Sequence, residues 1–585
     1  MRVLPFFVFG SPHGGVSEQQ QQRADTGKKD SEAPALRVGG RYCLKNRAAL
    51  AQTLGLTVSA SDAEIIGAGW HRWRCDLADH LRGSFAFVLH EPATDTLYAA
   101  RDALGNEPLY LAFSGARWIF GDNPRNVRVS MPVEPGLDDL AIADFLMGEV
   151  VDRHHTYFQG IERLPAGHWT KITSEGRVSR QYWSVSDAPK VEPCSEPARR
   201  FGALFDHSVG YHSEHCNTLG VFVSGGMDSS SILATVMALR EQAVQVLGLT
   251  RTYGDLPQWS DGRYVALLKE RFAFEHQEIG SGSVNPLDQA DRVIAAHDGP
   301  VLAYGFAATI PLYEAARTTG VRVVLDGHGG DEVVSFGMGL FNELARDGQW
   351  LGFWRATRAV ETLYGASRLR WLMRYMIHVP IWKQVRDIRR GLSRTSSQGH
   401  TPSILSPELE ALVGKNRYQR ADPMKRIDHT ERDLHEFALG SPMQQYAQEL
   451  LVLVGRAYGV ECRMPFLDRD LAEFSLSLEA KTKLHDGLTR VVLREAMAER
   501  LPRLLLERPD KFDFSDVFAK GLLQDRERLM DLTDPSIAAL SAYVNPARLA
   551  QLRREVHAGA DAIDTHTART LFRVAQLSIW LQSLR

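Results

Sequence analysis

The sequence predicts a two-domain protein, α/β and α+β in class: a domain of many short strands first, then one built on a parallel sheet. Three observations carry that prediction. Residues 219–223, Leu-Gly-Val-Phe-Val, form a short apolar run of the kind that makes a buried strand. Ile232, Leu233, Val236, Met237 and Leu239 then recur at helical spacing, and residues 244–250 form a second apolar run. Strand, glycine turn, helix and strand thus follow one another as a βαβ unit. Residues 186–197 carry three prolines in a polar run and mark a domain boundary, dividing the chain into 1–190 and 198–585. At 585 residues the chain is too long for a single core.

Composition narrows the class. Hydrophobic content of 44% and charged content of 24% are those of a soluble globular protein. A net charge of −3 speaks against a general nucleic-acid binder, and no apolar run is long enough to span a bilayer. Neither nucleic acid nor membrane is expected as a partner. Residues 3–9 are apolar but lack a basic flank and a cleavage site, so they read as a first strand. The five cysteines are scattered, odd in number and form no C-x-x-C pair, which suits a reducing cytoplasm without a zinc site.

Taken in order, residues 19–33 read as an exposed loop. Residues 81–89 alternate as a strand, with 96–101 as its hairpin partner. Residues 100–110, Ala-Arg-Asp-Ala-Leu-Gly-Asn-Glu-Pro-Leu-Tyr, read as strand, turn and strand. A helix over 198–211 leads to Ser224-Gly225-Gly226-Met227-Asp228-Ser229-Ser230. Two glycines let this backbone bend and approach a ligand, and the following helix start is an anion site. No Lys follows the glycines, so it is not the G-x-x-x-x-G-K-[ST] loop. Asp228 beside an anion cradle makes sense with a divalent cation between them. Alone, the segment also reads as a glycine turn with a serine cap. Residues 321–325 form another strand and deliver Asp326-Gly327-His328-Gly329-Gly330-Asp331-Glu332 to the sheet edge where ligands bind. Residues 337–441 are basic and aromatic, with cationic runs at 368–374 and 386–394 that suit a solvated helix face or a surface for an acidic peptide. A long helix covers 441–460, and the tail from 547 is helical without readable chemistry.

Ser-Gly-Gly-Met-Asp-Ser-Ser resembles the pyrophosphate loop of the ATP pyrophosphatase family, in its asparagine synthetase branch. That branch holds asparagine synthetases, β-lactam synthetases and the macrolactam cyclases of lasso peptides. The resemblance spans residues 81–514. Residues 100–110 resemble the ARDxxGxxPLYY stretch of the preceding glutamine amidotransferase domain, and 326–332 the SGEGxDE segment. Residues 461–468, Glu-Cys-Arg-Met-Pro-Phe-Leu-Asp, resemble E-x-R-x-PFLD, in which Arg463 and Asp468 read as braces. Residues 488–496 and 508–512 resemble the K/R-x-x-LR-x-A … R-x-K-x-x-F ending.

The resemblance implies an N-terminal amidotransferase-like (Ntn-type) β-sandwich. It implies a C-terminal parallel-sheet ATP pyrophosphatase domain, adenine nucleotide α-hydrolase-like, with added helices. ATP and Mg²⁺ are the implied cofactors. Ser224, Gly225, Gly226, Ser229 and Ser230 would cradle pyrophosphate; Leu249 and Gly327 would line the nucleotide; Asp228 and Asp331 would hold the metal. Lys511 matches the catalytic lysine that stabilises the α-phosphate, and His328 stands near the acyl carbon.

Two departures refine this. The family's glutaminase nucleophile is a cysteine directly after the initiator Met, where its own amine serves as base; residue 2 here is Arg2, and the first cysteine is Cys43. The expected domain therefore keeps the fold and has lost ammonia production, as in β-lactam synthetases and lasso cyclases. His328 replaces the Glu of asparagine synthetases and the Tyr of β-lactam enzymes, and could accept a proton or orient the adenylate. The expectation is an ATP-dependent carbon–nitrogen ligase acting through an acyl adenylate, in the form of a lasso peptide cyclase. Its partners would be a precursor (core) peptide and a leader-peptide protease. The alternatives are a glutaminase-dead asparagine synthase, a β-lactam synthetase relative using a small amino acid, and a non-catalytic scaffold.

Overall fold

The computed structural model describes residues 4–8, 22–23, 36–240, 244–252, 262–280, 285–365, 367–376, 403–416, 429–508, 515–558 and 564–585. Among the described residues ten strands fill the N-terminal part: β1 (Leu4–Val8), β2 (Gln22–Arg23), β3 (Arg37–Leu44), β4 (Gly83–Glu91), β5 (Thr96–Arg101), β6 (Tyr110–Ser114), β7 (Arg117–Gly121), β8 (Ile161–Arg163), β9 (His168–Thr173) and β10 (Gly176–Gln181). They form a six-stranded sheet, β10-β9-β5-β4-β3-β2, and a four-stranded one, β1-β7-β6-β8. Alternation along β4 assigns the faces. Ala86 and Val88, with Leu97 and Ala99, meet Leu111 and Phe120 of the other sheet. Phe85 and Phe87 point the other way, under Leu50, Ile66 and Trp70 of the Arg47–Leu54 and Asp62–Trp73 helices. The four-stranded sheet turns Tyr110, Ala112 and Ile119 to the Asp139–Met147 helix and to the Thr565–Ser583 helix. Helix, sheet, sheet and helix make four layers, so the expected β-sandwich is present.

Of the loop expected over 19–33, Gln22 and Arg23 instead pair with Val38 and Arg37, because β3 offers an open edge there; the remainder lies outside the described residues. So do the cationic run 386–394 and Lys511.

The second part is built on five parallel strands: β11 (Thr218–Phe222), β12 (Gln245–Thr252), β13 (Glu275–Gly280), β14 (Val323–Leu325) and β15 (Glu461–Arg463), in the order β13-β12-β11-β14-β15. From β11 the chain builds outward through β12 and β13, then crosses to the other side for β14 and β15. The switch point lies between β11 and β14, where an open α/β sheet leaves a crevice at its carboxyl edge. Apolar runs explain the buried strands: Leu219, Val221, Val324 and Leu325 are all fully buried.

The two parts meet across an interface rich in buried charge. Lys45 Nζ reaches Asp468 at 2.7 Å and Asp470 at 2.5 Å, with Lys45 and Asp468 side chains each 3% exposed. Glu449, on the Pro442–Ala457 helix, takes hydrogen bonds from Arg163 at 2.8 Å and Arg101 at 3.4 Å, and from the Tyr110 hydroxyl. Residues 100–108 form the clamp on the other side. Arg101 donates to the carbonyls of Gly105, Glu107 and Leu164, while Asp102 accepts from the N–H groups of Gly105, Asn106 and Glu107. All five cysteines are unpaired, and no helix of the described residues is long and apolar enough to cross a membrane.

Candidate active site

β11 ends at Phe222, and Val223 N–H is tied to Leu249 O at 2.9 Å. The chain then turns at Gly225, whose φ of +71° belongs to the left-handed region glycine takes freely. Gly226 begins the Met227–Leu239 helix without any side-chain cap. The first in-helix bond runs from Ser230 N–H to Gly226 O at 3.1 Å, so the N–H groups ahead of it have no intrahelical acceptor. Ser229 Oγ accepts from Ser224 N–H at 3.1 Å and sits 3.0 Å from Ser224 Oγ. Arg508 Nη1 donates to Gly225 O at 3.0 Å and stacks on Tyr264, pinning the turn from outside.

β14 brings the second loop. Asp326 accepts from His328 N–H at 2.7 Å, and Asp326 N–H is held by Arg463 O at 2.9 Å. Both glycines here serve close approach. A Cβ on Gly327 would stand 3.1 Å from Ser229 N; one on Gly330 would stand 2.5 Å from Asp228 Cγ. Asp228 and Asp331 are thereby brought together, and Arg490 bridges them. Its Nη1 donates to Asp228 Oδ1 and Oδ2 at 2.6 and 2.8 Å and to Asp331 Oδ1 at 2.9 Å. Burial, then the neighbouring Asp228, push the Glu332 carboxyl up. A pair of converging carboxylates that already holds one cation, beside an uncapped helix start, has the donor set for Mg²⁺ together with polyphosphate oxygens.

Of the expected site residues, Ser224, Gly225, Gly226, Asp228, Ser229, Gly327 and Asp331 meet at this crevice. His328 borders it, half-buried, with the Gln444 side-chain amide nitrogen 3.2 Å from its Nε2. Two expectations change. Ser230 is fully buried, with its N–H spent on the helix and its Oγ without a hydrogen-bond partner among the described residues, so it supports the turn and does not line it. Leu249 does not stand at the strand's end: β12 runs on to Thr252, and the Leu249 carbonyl is spent on Val223. Arg463 and Asp468 are braces: Arg463 holds the His212 carbonyl at 2.7 Å, and Asp468 caps the Arg469–Leu476 helix while binding Lys45.

Sequence reasoning missed Arg490 and Gln444. For Arg490 a signal existed. Asp486-Gly487, with φ of +46° and +87°, is the two-residue turn of a hairpin pairing Leu484–His485 with Leu488–Thr489. That hairpin delivers Arg490 to the carboxylates. Gln444 left no local signal, since its partner is 116 residues away.

A separate cavity of about 370 Å³ lies between the two parts, lined by Arg41, Cys43, Asp62, Tyr211 and Arg463 among others. Burial pushes the Cys43 thiol up to about 11, which keeps it protonated at neutral pH.

Residues 200–582 match the family model described as asparagine synthase. The chain belongs to the asparagine synthase family. Members of this ATP-using family are amide-forming ligases, and residues 42–183 match the glutamine amidotransferase domain. A putative glutamine-hydrolyzing asparagine synthetase of Mycobacterium tuberculosis (strain ATCC 25618 / H37Rv) is 26% identical over 478 residues, covering 77% of this chain and 69% of that protein. Glutamine-hydrolyzing asparagine synthetase 3 of Bacillus subtilis (strain 168) is 22% identical over 465 residues, covering 77% and 70%. Among solved structures, the glutamine phosphoribosylpyrophosphate amidotransferase of B. subtilis shares 13% identity, with 43% of this chain and 63% of that one covered. Its TM-score of 0.20 is too low to carry an argument.

Proposed function

We propose that the protein is an ATP-dependent carbon–nitrogen ligase of the lasso peptide cyclase kind. It activates a side-chain carboxylate of a precursor peptide as its acyl adenylate and joins it to that peptide's N-terminal amine. The observation that carries the adenylate chemistry is the meeting, at the sheet's switch point, of an anion-binding helix start with Asp228 and Asp331.

In the first half-reaction a carboxylate oxygen attacks the α-phosphorus and pyrophosphate leaves. The chain's contribution is placement. The uncapped N–H groups after Gly226 are the donors for polyphosphate, Arg508 holds the turn, and Lys511, by its match to the family's catalytic lysine, would set an ammonium against the charge growing on the transferred group. Asp228 and Asp331 are the residues to hold Mg²⁺, which when bound neutralises polyphosphate charge. In the second half-reaction the amine nitrogen attacks the acyl carbon, the bond to AMP breaks, and a proton is released. The contact with Gln444 suits a ring protonated on Nδ1 and favours an orienting role for His328 over a proton-accepting one.

Support for a peptide comes from the Trp350–Tyr364 helix and residues 367–376. Five arginines and one glutamate fall between 350 and 376. Leu351, Trp354, Leu369, Met373 and Met376 are exposed among them, a surface that suits an acidic, apolar-bearing substrate. Within this reading the protein works in the cytoplasm after a leader-peptide protease. A second reading, favoured by the names of the relatives, is an asparagine-type ligase acting on a small amino acid.

Mass spectrometry separates them. A candidate core peptide with ATP and Mg²⁺ should give a product lighter by one water, with AMP formed, and Lys511→Ala should abolish it. Asparagine from aspartate and ammonia, with the peptide unchanged, would establish the second reading and remove the first.

A further inference from the structure

A guanidinium occupies the position between the two carboxylates. Arg490 serves three carboxylate oxygens through Nη1 alone. Its Nε is buried and has no hydrogen-bond partner among the described residues. Its backbone stands at φ +54°, in the left-handed region that a side chain with a Cβ seldom takes. The hairpin at 484–489 and the Phe336 ring, 5.4 Å from its guanidinium carbon, hold it there. Among the described residues no group of three His, Cys, Asp or Glu is placed to hold a metal. Two carboxylates alone make a poor magnesium site, which ordinarily borrows oxygens from a substrate's phosphates.

We propose that Arg490 is a resident cation that keeps divalent metal out of the site until a nucleotide arrives. A metal cannot enter between Asp228 and Asp331 while the guanidinium fills the gap. Polyphosphate changes both sides of that competition. It brings the oxygens the metal lacks, and it offers the departing guanidinium, unpartnered Nε included, another anion. Metal binding becomes conditional on ATP, and by linkage each tightens the other. This rests on reading Asp228 and Asp331 as the metal-holding pair.

Electron paramagnetic resonance of free Mn²⁺ tests it with the full chain. Wild type should leave Mn²⁺ largely free without ATP and bind it with ATP. Arg490→Met should bind Mn²⁺ alone about 10- to 100-fold tighter than wild type does, the range expected of linked sites. Arg490→Lys, which keeps a cation, should stay close to wild type. Wild-type binding of Mn²⁺ that is as tight without ATP as with it would overturn the proposal and needs no variant to fold. So would Mn²⁺ affinity in folded Arg490→Met equal to that of wild type. Mn²⁺–ATP binding that survives intact in Asp331→Asn would instead remove the metal-site reading beneath it.

Discussion

Gly330→Ala tests the closeness on which the site depends. The added Cβ would stand 2.5 Å from Asp228 Cγ, 2.6 Å from Oδ1 and 3.0 Å from Cβ. Carbon atoms in contact settle at about 3.5–4.0 Å, so the Asp228 side chain must retreat by about 1 Å. That retreat breaks the 2.6 Å bond to Arg490 and pulls one carboxylate off the pair. A misplacement of about 1 Å near reacting groups costs on the order of 100-fold, or about 2.7 kcal/mol. Stability should not follow, because Gly330 opens the Gly330–Val334 helix and alanine gains up to about 1 kcal/mol there over glycine. The rate of ATP–pyrophosphate exchange is the assay, with a thermal melt beside it. Gly280→Ala is the control, since no described residue lies within 4 Å of its Cβ position. An exchange rate in Gly330→Ala within threefold of wild type would refute the crowding and with it the functional pairing of the two loops.

Two further outcomes concern the interface. Lys45→Met leaves Asp468 buried without its cation and should destabilise the protein by about 3–5 kcal/mol, read as a lower urea midpoint; an unchanged midpoint would show the pair to be idle. Cys43, held near 11, is almost all thiol at pH 8. Site-resolved alkylation should therefore run about 200-fold slower than for a free cysteine at that pH and accelerate as pH climbs toward 11. Free-cysteine rates at pH 8 would restore a nucleophile to the interdomain cavity.

Local signals carried the sequence reading a long way. The runs at 219–223 and 244–250 became β11 and β12 because fully buried parallel strands need continuous apolar residues. The two glycine-rich segments were legible because only glycine tolerates the approach of Gly327 to Ser229 and Gly330 to Asp228. What stayed hidden depends on long-range pairing. The Thr565–Ser583 helix mixes its apolar residues with Thr, Arg, Gln and Ser, so its sequence does not announce that most of it is buried from Thr567 to Leu581 or where it packs. Trp580, against Tyr157, and Arg573, on the Leu146 carbonyl, show that it closes the outer face of the N-terminal sandwich. Ser230 and Leu249 misled for a related reason: a motif aligns residues, but hydrogen bonds already spent on a helix or ladder decide which of them can face a ligand.

The same accounting explains why residues 100–108 matter without touching the crevice. Asp102 and Arg101 fasten their own turn, through the N–H groups of Gly105, Asn106 and Glu107 and the carbonyls of Gly105 and Glu107, and Arg101 ties it to Leu164 as well, which makes that turn rigid. The rigid turn then presents Asn106 to the Leu467 carbonyl at 2.8 Å and to the Gln448 amide at 2.7 Å. Gln448 lies one helical turn from Gln444, the partner of His328. The N-terminal domain is therefore a wall that fixes the helix orienting His328, whether or not its own cavity has any chemistry left. Loosening Asn106 should disturb the acyl-transfer half-reaction while leaving pyrophosphate exchange intact, because the loop after β11 is held from the other side by Arg508 and Leu249.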